Sequence, residues 1–317
     1  MALNRPVLIG IDGGGSGTRA IVGHGPGEVL GVGAAGVACV RDVGEQAATT
    51  ALLAAVADAW HAARSPARAA DSIYVGLAGV ATASDRGAAE RMARSVGHRD
   101  GAPVTADHDL AIAHAGAFAR AERRRRGVVL VAGTGAACMG VDALGTSALC
   151  GGWGPALGDG GGGYFLGIEA MRAVVRATDG RGPATELCAR VRAALEIDEP
   201  RDMLRLVGRD GDRKRVAALA PNVIELAAAG EPLATEILDR GVGELASLIV
   251  HATARVATAD GGGDVPYAVV GGLARAGAPL LDRLREEVRL RRAPARWVEP
   301  DRTPLEGALL LAAEACA

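Results

Sequence analysis

Asp12 stands at the end of an apolar stretch that begins Val7-Leu8-Ile9, and Gly13-Gly14-Gly15-Ser16-Gly17 follows it before a second apolar run at Ile21-Val22. A β-branched run, a turn of glycines and another such run read as a hairpin with a wide turn. Glycines let the backbone approach a ligand closely, and successive N–H groups pointing one way form a concavity suited to an anion such as phosphate. An aspartate at the strand end is placed to hold a metal ion that bridges such phosphates. Gly13, Gly14, Gly15 and Ser16 are therefore candidate phosphate contacts, and Asp12 a candidate metal ligand. A second stretch of the same make-up, Val128 to Val141, sets Gly133-Thr134-Gly135 between apolar runs, with the Thr134 hydroxyl available to a phosphate oxygen. Taken alone it reads equally well as an ordinary tight hairpin; its repetition argues for a ligand.

Other phosphate motifs fit less well. Gly15, Gly17 and Ala20 match the spacing of a dinucleotide loop, but Thr18 to Gly23 reads as a strand rather than a helix, and no acidic residue follows at the usual distance. A Walker A loop and a protein kinase each need a lysine near the glycines. The only lysine is Lys214, far from any glycine loop.

Three further groups could carry chemistry. Asp107, in Val104-Thr105-Ala106-Asp107-His108-Asp109, follows a short strand and precedes a helix, so it is either a reactive carboxylate or a group that satisfies backbone donors at the helix start. The spacing favours Asp109 as the cap and leaves Asp107 free; His108 is expected to be exposed and without a role. Gly152-Trp153-Gly154 and Asp159 combine a carboxylate with backbone exposed beside glycines, which suits sugar hydroxyls, although Trp153 reads equally as a core residue. Gly271-Gly272 ends a Val-Val strand, a weak signal alone.

The elements that must position these residues follow from hydrophobic periodicity. Strands are expected at Glu28–Gly33, Ser72–Gly79, Ala102–Ala106 and Tyr267–Val270. Helices are expected at 46–64, at 85–96 with an Asp85 cap, after Asp109, and at 278–290 as an exposed, charge-laced element. Leu238, Val242, Leu245, Ile249, Ala252 and Val256 recur at steps of four and three, the buried face of one long helix. Strands alternating with helices imply an α/β fold with mostly parallel sheet covered on both faces. The 317 residues suffice for two lobes, and the net charge of −2 offers no reason to expect nucleic acid or a membrane. Arg123 to Arg126 reads as a solvated connection. Five cysteines at 39, 138, 150, 188 and 316 form no close sequence pair, so neither a disulfide framework nor a zinc site is suggested. The start, Met1 to Pro6, has no apolar signal segment, so a cytoplasmic location is expected.

Ile11–Ser16, Val131–Gly135, Cys150-Gly-Gly-Trp-Gly-Pro-Ala-Leu-Gly-Asp159, Val269–Leu273 and Pro304–Leu309 run in order along the chain. In this the chain resembles the sugar kinase, heat-shock ATPase and actin superfamily, within it the N-acetylglucosamine kinase and BadF/BadG-type ATPase branch. The resemblance implies a duplicated two-lobed actin-like (ribonuclease H-like) α/β fold with ATP in a cleft between the lobes. The lobes would be residues 1–116 plus the returning helix 304–317, and residues 117–303. It implies ATP and Mg²⁺ as cofactors, Asp107 as the base taking the proton of a sugar hydroxyl, Gly271 and Gly272 against the adenosine, and Gly152, Trp153, Gly154 and Asp159 at the sugar. A homodimer is expected.

The chain departs from that pattern where the sugar would lie. Asp159 is followed by Gly160 to Gly163 instead of a second carboxylate, Ala136 replaces a serine, and Ala38 replaces an asparagine that helps hold an acetamido group. The expected activity is ATP-dependent phosphorylation of N-acetylglucosamine or glucosamine at the 6-hydroxyl. Two alternatives stand beside it. One is an activating ATPase with a cysteine-ligated iron–sulfur cluster at a dimer interface, against which the scattered cysteines speak. The other is a nucleotide- and sugar-binding sensor without transfer activity.

Overall fold

A computed structural model of the chain describes residues 5–120, 125–207 and 212–317. The chain opens with β1 (Leu8–Gly14), β2 (Gly17–Gly25) and β3 (Glu28–Ala35), then α1 (Val40–Ala62), β4 (Ser72–Leu77), α2 (Ala83–Arg94), β5 (Val104–His108) and α3 (Asp109–Ala117). The next section holds β6 (Gly127–Ala132), β7 (Ala136–Val141), β8 (Ser147–Gly151) and the helices α4 (Gly163–Thr178), α5 (Glu186–Ala194), α6 (Arg213–Ala217), α7 (Ala220–Ala228) and α8 (Pro232–Ala259). It closes with β9 (Val265–Val270), α9 (Ala278–Leu290) and β10 (Ala295–Trp297), and the chain ends in α10 (Pro304–Cys316). No described helix is long and apolar enough to cross a membrane.

The contacts divide the chain into two units, residues 5–125 with 299–317, and residues 126–298. The first contains a sheet of order β3-β2-β1-β4-β5, and the second one of order β8-β7-β6-β9-β10. In both, the three leading strands pair antiparallel and the remaining two add in parallel. The sheets are thus mixed rather than mostly parallel, because two hairpins with short turns precede the first helical crossover in each unit. The same strand order twice is the physical content of the duplication suggested by the two glycine turns.

In the first unit, Ile9 and Ile11 face a core shared with Leu52, Val56 and Met92 of α1 and α2, while Leu8 and Ile21 on the other face pack with Leu305 and Leu309 of α10. Gly10 permits that close seat: a Cβ there would lie 2.6 Å from the backbone nitrogen of Leu309. Between residues 116 and 303 the ends of the unit are laced together, since Asp301 N and Arg302 N donate to the carbonyls of Ala117 and Gly116, and Arg120 N donates to the Asp301 carboxylate. This explains why the boundary falls at 125/126 and 298/299. In the second unit, the predicted apolar face of α8 is buried throughout, Leu238, Leu245 and Ile249 completely.

Several local expectations are corrected. α1 begins at Val40, but Gly44 is non-helical inside it (φ 81°), so the regular helix starts near the expected Gln46. The cap of α2 is Thr82; Asp85 is its partner in a capping box. The cap of α3 is His108, whose Nδ1 accepts from Ala111 N at 3.1 Å, with Asp109 as the first helical residue. α9 is not exposed all round, because Leu280, Leu284 and Val288 are buried. Of the Arg123–Arg126 run, the first two residues lie outside the described residues; Arg126 is no solvated connector but pairs with Asp260 and donates to the Asp264 carbonyl at 2.8 Å.

Candidate active site

Parallel pairing fixes the level at which the candidate residues of the first unit stand. Asp12 of β1 pairs with Gly76 of β4, and Gly76 pairs with Asp107 of β5, so the two aspartates occupy one row at the C-terminal ends of strands that flank β4. Two strand spacings put their Cα atoms about 10 Å apart, with side chains on the same face. Gly76 carries no side chain there because Ile112 of α3 fills the space, 2.6 Å from where a Cβ would sit.

The β1–β2 pairing ends at Gly14 and Gly17, leaving Gly15 and Ser16 as an exposed tip. Gly13 is a packing glycine: a Cβ there would be 2.5 Å from Leu77 Cδ2. Gly14 and Gly15 are open, their nearest neighbours being Gly17 O at 4.0 Å and Asp42 Oδ2 at 3.5 Å from an added Cβ. Of the four predicted phosphate contacts, then, one is needed by the fold and three face open space.

Both carboxylates are held by one oxygen. Arg19, opposite Asp12 in the hairpin, donates through Nη2 to Asp12 Oδ2 at 2.7 Å. Arg86 Nη2 donates to Asp107 Oδ1 at 2.9 Å, and His108 N donates to the same oxygen at 2.9 Å. Among the described residues, Asp12 Oδ1 and Asp107 Oδ2 have no hydrogen-bond partner. His108 is half-buried rather than exposed, and burial, opposed by the Asp107 charge, pushes its pKa down. Burial, with the Asp107 charge adding to it, pushes the Tyr74 hydroxyl up to about 12.

In the second unit, Gly133 to Gly135 form the β6–β7 turn. Gly163 N and Tyr164 N, at the start of α4, donate to the carbonyls of Gly133 (2.8 Å) and Thr134 (2.9 Å), so the helix docks its N-terminus on this turn. The glycine run after Asp159 makes the docking possible. A Cβ on Gly162 would meet Gly135 backbone at 2.7 Å, and one on Gly161 (φ 79°) would meet Gly241 O at 2.3 Å. The run is therefore packed, not a loose loop.

Asp159 lies over the same turn, its Oδ2 2.3 Å from where a Gly135 Cβ would be, and its own backbone is left-handed (φ 59°). Burial raises its pKa, opposed by the amides of Gly154 and Ala136 and by Arg213. The end of β9 meets the turn as well: a Gly271 Cβ would lie 2.4 Å from Ala132 O, and Gly272 N is 3.9 Å from a Gly133 Cβ position, while Gly272 itself faces open space. Gly133, Gly135, Asp159 and Gly272 thus form one neighbourhood. Trp153 does not belong to the core; it is 74 % exposed, on a loop whose turn is closed by Gly158 N to Gly154 O at 2.8 Å.

Sequence reasoning missed Arg19, Arg86 and Glu244. Hairpin register could have found Arg19, but the other two are long-range. Glu244 of α8 sets its Oε2 2.9 Å from a Gly160 Cβ position, bringing a carboxylate beside the glycine run. Also missed was a thiol pair, since Cys138 and Cys150 stand opposite each other across β7 and β8, both free.

Among the described residues, no group of three or more His, Cys, Asp or Glu side chains is placed to hold a metal unaided. Mg²⁺ does not need one, since it keeps waters and binds through one or two carboxylates plus substrate phosphates. Asp12, with one oxygen free beside an open glycine turn, fits that donor set.

The BadF/BadG/BcrA/BcrD ATPase family matches residues 9–312. An N-acetylmuramic acid/N-acetylglucosamine kinase of Clostridium acetobutylicum is 29 % identical over 77 % of this chain and 78 % of its own length. An N-acetyl-D-glucosamine kinase of Dictyostelium discoideum is 30 % identical over 59 % of each. A solved structure of a candidate N-acetylglucosamine kinase from Chromobacterium violaceum superposes with a TM-score of 0.76 at 28 % identity, covering 96 % of this chain and 98 % of that one.

Proposed function

This chain belongs to the BadF/BadG/BcrA/BcrD ATPase family, and from that premise we propose that it is an ATP-dependent kinase that phosphorylates N-acetylglucosamine or glucosamine at the 6-hydroxyl. The observation that carries the reading is the row Asp12–Gly76–Asp107 beside an open glycine turn. Phosphoryl transfer asks mainly for positioning and charge neutralisation, and such a row supplies one carboxylate for a metal and one for the acceptor.

In this reading Asp107 Oδ2 accepts the hydroxyl proton as the oxygen bonds to the γ-phosphorus and the bond from that phosphorus to the β–γ bridging oxygen breaks, releasing ADP, while Arg86 and His108 N keep the other oxygen engaged. Gly13, Gly14, Gly15 and Ser16 would offer amides to phosphate oxygens, and Thr134 its hydroxyl and, with Gly135, its amide, while Gly133, whose N–H already donates to Gly135 O at 3.0 Å, shapes that turn. Asp12 would hold Mg²⁺, which when bound neutralises charge on the β- and γ-phosphate oxygens. Gly272, open to solvent, leaves room for the adenosine beside Gly271. Gly152, Trp153, Gly154 and Asp159 serve the sugar, with the exposed Trp153 ring available for apolar contact. Ala38 is fully buried against Gly13 and offers no side-chain hydrogen bond, so an acetamido group has to find its partner elsewhere. A homodimer in the cytoplasm is part of the same proposal.

The test incubates the purified protein with ATP and Mg²⁺ and, separately, N-acetylglucosamine, glucosamine, N-acetylmuramic acid and glucose. Phosphorus NMR of the products should show a 6-phosphate of an amino sugar. ADP without phosphorylated sugar in every reaction would overturn the kinase assignment.

A further inference from the structure

We propose that Arg86 is a positioning residue that turns one oxygen of Asp107 toward the acceptor hydroxyl, an inference that rests on Asp107 being the base in the kinase reading above. The rotation of a carboxylate about its last torsion is soft, so a base that is to present one oxygen needs the other restrained. At Asp107 the restraint is one-sided: Arg86 Nη2 and His108 N both donate to Oδ1 at 2.9 Å, and among the described residues Oδ2 has no partner.

Both donors are themselves fixed. His108 caps α3 through Nδ1, which pins the peptide that follows Asp107. Arg86 stands in the first turn of α2, where Thr82 Oγ1 accepts from Asp85 N at 3.1 Å, Asp85 Oδ2 accepts from Thr82 N at 2.9 Å, and Arg86 N makes the first helical bond to Thr82 O at 3.0 Å. The capping box therefore holds the backbone from which the guanidinium reaches the end of β5. With Arg86 52 % exposed, the ion pair contributes little to stability, and its effect falls on the geometry of the carboxylate.

The experiment measures kcat and KM for ATP and sugar in Arg86→Met and Arg86→Lys, each in the parent protein and in Asp107→Asn. Misplacement of a reacting group by about 1 Å costs on the order of 10²-fold in rate, so Arg86→Met should lose roughly that factor in kcat. The melting temperature and KM for ATP should stay near the parent values, and Arg86→Lys should recover part of kcat. In the Asp107→Asn background, Arg86→Met should change nothing further, because the group it acts through is gone. Near-parental kcat in Arg86→Met, with Asp107→Asn inactive, would overturn the proposal while leaving the base in place. Full activity in Asp107→Asn would overturn the base assignment and the proposal with it.

Discussion

Asp12 and Asp107 share one row of the first sheet, two strands apart, with the side chain of Ile112 filling the gap above Gly76 between them. Neither carboxylate is saturated: each gives one oxygen to an arginine from its own unit, Arg19 for Asp12 and Arg86 for Asp107. An apolar side chain between two such groups keeps them from sharing a proton or a cation, which favours separate tasks for each.

Asp12→Asn keeps the size of the side chain and removes the charge opposite Arg19. The expected outcome is a loss of several kcal/mol of transition-state stabilisation, on the order of 10²-fold or more in kcat. The Mg²⁺ concentration needed for half-maximal rate should also rise. Initial rates across a Mg²⁺ titration check both, and an unchanged titration curve would remove Asp12 from the metal site.

Two glycines of the second unit separate the demands of the fold from those of a ligand. Gly135→Ala places a methyl 2.3 Å from Asp159 Oδ2, whereas Gly272→Ala enters open space. Overpacking of this kind costs typically about 1–3 kcal/mol, so Gly135→Ala should lower the melting temperature by several degrees. Gly272→Ala should melt like the parent protein but bind ATP more weakly. Thermal melts with and without ATP distinguish the two.

The raised pKa of Asp159 makes stability depend on pH. Its folded value lies above its unfolded one, so the folded chain holds this proton more tightly. The cost of ionising it in place is absent below the ordinary aspartate range and fully present above the raised value. The melting temperature of the parent minus that of Asp159→Asn should therefore fall as pH rises through that window. A difference that grows with pH would show that its amide partners outweigh its burial.

How much of this was legible in the sequence depends on range. The two glycine turns and the buried face of α8 follow from composition and periodicity within one element, the repeated turns announced the duplicated strand order, and the last helix rested on the family resemblance. The shared row of Asp12 and Asp107 was not legible, because it depends on the register of three strands separated by α1 and α2. Nor was Arg86, which reaches its partner across 21 residues of chain. The caps were misread by one to three positions for a local reason. Thr82 and His108 each precede an aspartate that is an equally good cap former, and only backbone dihedrals decide between neighbours. The packing of the glycine run after Asp159 was not legible either, because its contacts, Gly135, Gly241 and Glu244, lie far away in sequence.

The most direct test compares Asp107→Asn with the parent protein under saturating ATP and amino sugar, reading sugar phosphate formed per enzyme per unit time. Removal of a general base should lower kcat by about 10²- to 10⁴-fold, with ATP still bound and the melting temperature little changed. Sugar phosphate formed at the parental rate by Asp107→Asn would contradict the account.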